Sequence, residues 1–301
     1  MTEHTIPRLL PTSWTSAGDA TPQSPDERSP IPVRTRIEAV AAHGWQGFGL
    51  VADDLAEFLR SGTHADLAAL LQDHGITHLE LEFLGDWWSD GERRRRSDRV
   101  RRELLGAAEA LGARTVKIAP AVGGESVDPG RFAEEFDRLA SEAGEHGTRV
   151  ALETLPFSSN APTLEDGIAL VTEVGNPAGG LCVDVWHVHR GGTDYSIIRD
   201  RLPAEYLFVV ELDDAAAAPV GTLWEDTVHR RLLPGRGAFD VPEFINAIRA
   251  TGYDGIWGVE MISEHHRSLP LAAALAQTRE ATLACFAEAD RRFAAGSRVA
   301  G

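Results

Sequence analysis

The sequence alternates, eight times over, between a short apolar or β-branched run and a longer stretch. The runs are Arg8–Trp14, Gly47–Val51, Ile76–Phe83, Thr115–Pro120, Arg149–Leu155, Leu181–Val183, Tyr206–Leu212 and Gly255–Ile262. Helical spacing fills Val33–His43, Asp53–Gln72, a stretch ending near Leu111, Pro129–Glu145, Asp240–Thr251 and Leu269–Phe293. Strand followed by helix, repeated, is the signature of βα units and a parallel sheet. Capping residues support the helix starts. Thr163-Leu-Glu-Asp166 has a hydroxyl cap with an acid three positions on, and Asp240 precedes Pro242.

Glu82, Lys117 and Glu153 recur at intervals of 35 and 36 residues, near the ends of three successive runs. That regularity over eight units predicts a (β/α)8 TIM barrel rather than an open doubly wound sheet. No Gly-rich phosphate fingerprint follows any run, which counts against a dinucleotide fold. No composition break divides the 301 residues, so a single domain over 1–301 is expected, frayed at 1–7 and 294–301. The net charge of −17 argues against a nucleic-acid partner, which would need a basic footprint. Arg93–Arg96 is interrupted by acids on either side and reads as a solvated helix face. Two cysteines make no disulfide framework, and Cys182 reads as core. The N-terminus lacks signal-peptide character, and no apolar stretch nears the roughly 18 residues of a membrane helix. The cytoplasm is therefore the expected location, with no membrane partner.

Leu181-Cys-Val-Asp-Val-Trp-His-Val-His-Arg-Gly-Gly192 carries the chemistry. An apolar strand runs into Asp184, with His187 three residues later, and both point beyond the C-terminal strand end, where barrels place their sites. A plainer account is a loop aspartate capping a turn. Glu153, Asp184, Glu211 and Glu260 all stand near strand ends. Burying one bare carboxylate costs several kcal/mol, so four converging ones call for a cation. Oxygen ligands favour Mn²⁺ or Mg²⁺, while His187 would let Zn²⁺ or Co²⁺ compete. Singly, each carboxylate could instead be salt-bridged or face outward. Lys117 could neutralise an oxyanion or simply pair with Glu82. Arg236 could reach an anionic substrate group or lie in solvent. Trp14, Trp87, Trp88 and Trp186 could wall a sugar pocket or fill the core.

Glu153 in ALET, Asp184 and His187 in VDVWH, Glu260 in WGVEM and the stretch PGRGAFDVPEFINAIRATGYDGIW together resemble a known family. It is the xylose isomerase-like TIM-barrel superfamily, the sugar phosphate isomerase/epimerase group. The resemblance spans about Leu9 to Phe293 and implies that Glu153, Asp184 and Glu260 are metal ligands, with His187 beside metal or substrate. One departure stands out. Where the family usually reads His-x-Lys-Asp, with histidine as ligand, this chain has Glu211-Leu-Asp-Asp214. Glu211 is then either the fourth ligand or the mark of an altered site.

The resemblance further implies a metal-dependent isomerase or epimerase acting on a small sugar-like substrate through an enediolate. Glu153 and Glu260 would move the proton and His187 would meet the substrate; read from the residues rather than the resemblance, Lys117, Arg236, Glu82 and Trp14 are further candidates for substrate contact. A lyase acting on a keto-cyclitol or dehydroshikimate-like acid shares the first step and is the alternative. A nuclease would need a basic groove that this acidic chain does not offer, and a non-catalytic sugar-binding barrel is the other class. Barrels of this group often pair, so a homodimer is possible.

Overall fold

The computed structural model describes residues 6–24, 26–122 and 127–299. Eight parallel strands form a nearly closed barrel: β1 (Leu9–Pro11), β2 (Gly47–Val51), β3 (His78–Leu84), β4 (Thr115–Ile118), β5 (Arg149–Glu153), β6 (Gly179–Asp184), β7 (Leu207–Leu212) and β8 (Trp257–Val259). From β2 to β8 each strand pairs with the next, and β1 pairs with β8. The Gln46 N–H donates to the Leu9 carbonyl at 3.0 Å and draws β1 toward β2.

Helices cover the outside: α1 (Ser13–Ser16), α2 (Val33–Ala42), α3 (Ala52–Leu59), α4 (His64–Asp73), α5 (Gly91–Leu111), α6 (Pro129–Glu145) and α7 (Leu164–Val174). They continue with α8 (Val185–Arg190), α9 (Ser196–Arg201), α10 (Leu223–His229), α11 (Val241–Ala250), α12 (Glu264–Arg267) and α13 (Leu271–Val299). The cap signals act as read. Thr163 and Asp166 form a reciprocal capping box on α7, and Asp240 accepts from the Glu243 N–H on α11.

Several boundaries differ from the sequence reading. The helix expected over 53–72 is two helices, because Thr63 and Asp66 build a second capping box after Gly62. The first strand stops at Pro11, so Trp14 lies in α1. Gly49 makes this possible, since a Cβ there would come 2.5 Å from the Ser13 nitrogen. The last helix runs from Leu271 to Val299. The short helices α8, α9, α10 and α12 are below the length at which periodicity reads.

The core lies largely between strands and helices, as in barrels generally. Trp87 and Trp88 pack edge to face at 5.2 Å, and both meet Phe132 of α6 at tilted angles. Those two tryptophans, like the fully buried Trp186, serve the core. On α5, Arg95 and Arg96 are exposed beside Glu92, as a solvated face would be, whereas Arg94 is largely covered and pairs with Asp98 and with Glu135 on α6. Both cysteines are free and buried. Among the described residues, no helix is long and apolar enough to cross a membrane.

Candidate active site

Inside the barrel the strands turn acids inward. Asp184 closes β6 and caps α8, its Oδ1 accepting from the Trp186 N–H at 2.6 Å and the His187 N–H at 3.3 Å. The three-residue spacing is thus a helix start: one oxygen holds the turn, and the turn aims the imidazole inward. Capping and site chemistry coexist in one carboxylate. Glu153 ends β5 and Glu260 follows β8 directly. Glu153, Asp184, His187 and Glu260 are all buried, each offering a ligand atom within 4.8 Å of the others.

Two buried cations thread this cluster. Arg231 Nη1 donates to Asp184 Oδ2 at 2.6 Å and to Asp213, while Nη2 reaches Thr227 Oγ1 at 2.9 Å and lies 3.1 Å from Glu260 Oε2. Lys117 Nζ lies 2.6 Å from Glu211 Oε1, 3.0 Å from Glu82 Oε2 and 3.2 Å from Glu260 Oε1. Lys117 pairs with Glu82, as the plainer reading has it, and it also lines the central cavity.

Electrostatics divides the acids. Burial pushes the Glu260 carboxyl up, and Lys117 and Arg231 pull it back only to about 7. Burial also opposes ionisation of Glu153, but His187, Lys117 and Arg231 outweigh it and hold that group at about 2. Glu80, which sequence reading passed over, is driven by burial to about 8 despite Lys117. Glu211 is pushed well above the usual carboxylate range by burial and by Glu260.

The central cavity is lined by the ionisable groups of Glu82, Lys117, Glu153, His187, Arg231 and Glu260, by the apolar Trp14, Phe83, Leu155, Phe157, Trp224, Val228 and Ile262, and by Pro22, Gln23 and Glu27. Two sequence expectations end up elsewhere. Arg236 is exposed and lines a separate surface groove with Asp240, Glu288 and Arg292. Its loop is held outward by Asp214, which accepts from the Gly237 N–H at 2.8 Å and the Phe239 N–H at 2.9 Å. Glu211 is not among the cavity-lining residues. Lys117 draws one of its oxygens and the Cys182 thiol donates to the other at 3.3 Å, and Glu211 forms with Glu153 and Cys182 a second buried group whose ligand atoms lie within 4.8 Å of one another. Gly258 opposes Glu211 on β8, where a Cβ would come 2.9 Å from the Glu211 Cγ.

The family model for the xylose isomerase-like TIM barrel matches residues 37–284. The chain belongs to this family. Among characterised members, it is 29% identical over 243 residues to a 3-dehydroshikimate dehydratase of Pseudomonas aeruginosa. That match covers 79% of this chain but 37% of the dehydratase, so the chain spans little more than a third of that relative. It is 24% identical over 253 residues to an inosose isomerase of Bacillus velezensis, covering 82% of this chain and 89% of that one. The solved structure of the IolI protein with a zinc atom superposes with a TM-score of 0.80 at 21% identity, over 93% of this chain and 98% of that one. The superposition shows the shared xylose isomerase-like fold. The curated relatives are enzymes of two reaction classes, isomerase and dehydratase.

The side chains present suit a divalent ion by their own chemistry. Three carboxylates and one imidazole converge, and His187 Nδ1 is buried without a hydrogen-bond partner. Unsatisfied buried polar atoms are rare enough to need a cause, and a cation supplies one. His187 enters this set, whereas the sequence pointed to it mainly as a substrate contact. Arg231, Asp213, Thr227, Glu27, Phe157 and Trp224 were not anticipated. Arg231 sits 18 residues beyond Asp213 in an irregular connection, so no periodicity marks it. The only available signal was its place just before Leu-Leu-Pro-Gly.

Proposed function

We propose that this chain is a divalent-metal-dependent isomerase or epimerase acting on a small polyhydroxylated ketone. The observation that carries this reading is the pair Glu153 and Glu260, buried together at the C-terminal mouth of the barrel with proton affinities driven apart. Two carboxylates so separated divide base and acid roles between them. Glu260, near 7, exchanges a proton readily at neutral pH. Glu153 stays ionised beside His187.

Glu153, Asp184, His187 and Glu260 would hold the metal, with Glu211 as a reserve carboxylate behind Lys117. The bound ion would supply electrostatic stabilisation of charge developing on adjacent substrate oxygens. One carboxyl takes the proton from the carbon beside the ketone, and the other returns it. Arg231 holds Asp184 and Glu260 in place, and the aromatic walls exclude water. A second reading, a dehydratase, is favoured by the 29% identity to the Pseudomonas enzyme. In that case the same enolate expels a β-hydroxyl instead of being reprotonated.

The test is incubation in D₂O with a panel of ketoses and ring ketones, followed by NMR and mass spectrometry. Deuterium entering beside the ketone without water loss supports the isomerase, and loss of water supports the dehydratase. No exchange and no product with any member sinks both.

A further inference from the structure

We infer that the N-terminal end of the barrel, opposite the acid cluster, binds a small dianion, a phosphate group or its equivalent, between Arg8, Arg114, Arg149 and His78. This site is independent of the reading above.

Strand alternation brings the four side chains together. Glu82, Lys117 and Glu153 face the barrel interior, where they line the cavity. Successive residues of a strand point to opposite sides, so Glu80 and His78 on β3, Thr115 on β4, and Ala151 and Arg149 on β5 face inward as well. The register agrees: Thr115 stands beside both Glu80 and Arg149, and Gly47 beside His78. A Cβ on Gly47 would come 2.7 Å from the Leu10 side chain, which puts Leu10 of β1 on the inner side and Arg8, two residues earlier, at the rim below it. Arg114 directly precedes β4, the strand between those of His78 and Arg149.

Aromatic rings lie against the cluster. The Tyr253 ring folds back over Gly255, where a Cβ would come 2.4 Å from its Cζ, and its hydroxyl donates to the Ile256 carbonyl at 2.6 Å. Burial raises the ionisation of that hydroxyl, and Arg149 and Arg8 are close enough to oppose the rise. The Arg149 guanidinium lies 3.9 Å from the centre of the Phe208 ring. Stacking occupies the face of a guanidinium and leaves its in-plane N–H groups free for an oxyanion.

No acid offsets these charges. The chain carries 46 acids against 29 lysines and arginines, yet among the described residues none of the three guanidinium groups has a carboxylate partner. Arg8 donates to the Asp254 carbonyl at 2.7 Å. Burial, with Arg114, Arg8 and Arg149, holds the His78 imidazole down at about 4, so at neutral pH it is an uncharged donor. Burial and Arg114 lower Arg149 in the same sense. Like charges gathered without a counterion disfavour one another, and a dianion removes that cost. Glu80, next inward on β3, is pushed by burial to about 8 and carries little charge to repel an anion.

Calorimetric titration of the purified full chain with inorganic phosphate, at constant ionic strength, tests the site. The variants are Arg114→Gln, Arg149→Gln and, as an exposed arginine far along the chain, Arg236→Gln. Arg114 is exposed, so its variant should fold as the parent does. The parent should bind phosphate saturably, with affinity reduced about tenfold or more in Arg114→Gln and in Arg149→Gln and unchanged in Arg236→Gln. Phenyl phosphate bound more tightly than phosphate would assign the site to a phosphate carried on an organic group, and weaker binding to the free ion; either supports a dianion site. Absence of saturable binding by the parent overturns the inference. So does unchanged affinity in Arg114→Gln, and so does an equal loss in Arg236→Gln.

Discussion

Lys117 Nζ and Glu211 Oε1 lie 2.6 Å apart, 94 residues distant in the chain and with neither side chain more than 1% exposed. A pair so enclosed is held by mutual need. Removing one partner strands the other's charge in low dielectric, whereas removing both leaves a smaller deficit. Burial alone would lower the Lys117 ammonium, yet Glu211, Glu260 and Glu82 together push it well above its ordinary range.

Lys117→Met is therefore expected to destabilise the fold by about 3–5 kcal/mol. Adding Glu211→Met should recover part of that loss. Urea denaturation of the two single variants, the double variant and the parent forms the cycle. Strictly additive losses would mean the two residues do not act as a pair.

Metal binding separates Glu211 from the acid–imidazole cluster. Asp184→Ala should weaken Mn²⁺ or Zn²⁺ affinity about 100-fold or more, beyond the usual effect of a supporting residue. Glu211→Ala should change it by less than about tenfold, because Glu211 stands outside the group formed by Glu153, Asp184, His187 and Glu260. Metal content by mass spectrometry and affinity by chelator competition are the measurements. Equal losses in both variants would place Glu211 among the ligands.

For turnover, Glu153→Gln or Glu260→Gln should each reduce kcat by roughly 10² or more, the ordinary worth of a general acid or base. Gln keeps the shape and removes the proton exchange. Near-normal rates in both variants would remove the pair from the chemistry.

Glu80 makes a pH prediction. Burial raises its folded value to about 8, above that of the unfolded chain, so folding binds a proton between the two values. Stability from this group is intact below the unfolded value and declines as pH rises toward 8. Glu80→Gln removes the titration. The variant should gain on the parent by about 1–3 kcal/mol between pH 5 and 8, read from denaturation of chelator-treated protein. A difference that is flat with pH would mean that Glu80 does not titrate in that range.

The barrel was legible because its signals are local. Gly47–Val51 and Pro129–Glu145 coincide with an observed strand and helix, since apolar spacing and Pro and Gly punctuation act within a few residues. Glu153, Asp184 and Glu260 were legible for a related reason: a carboxylate closing an apolar strand has a direction as well as a position. What pairs with those carboxylates depends on which strands and loops close on one another. Arg231 arrives from the connection after α10, Lys117 meets three acids from three other strands or strand ends, and Arg236 is carried outward with its loop. Residue type and spacing determined where the charges stand along the strands. Closure of the barrel decided which charges neutralise each other, because ionic contact is made through space between residues that the chain holds far apart.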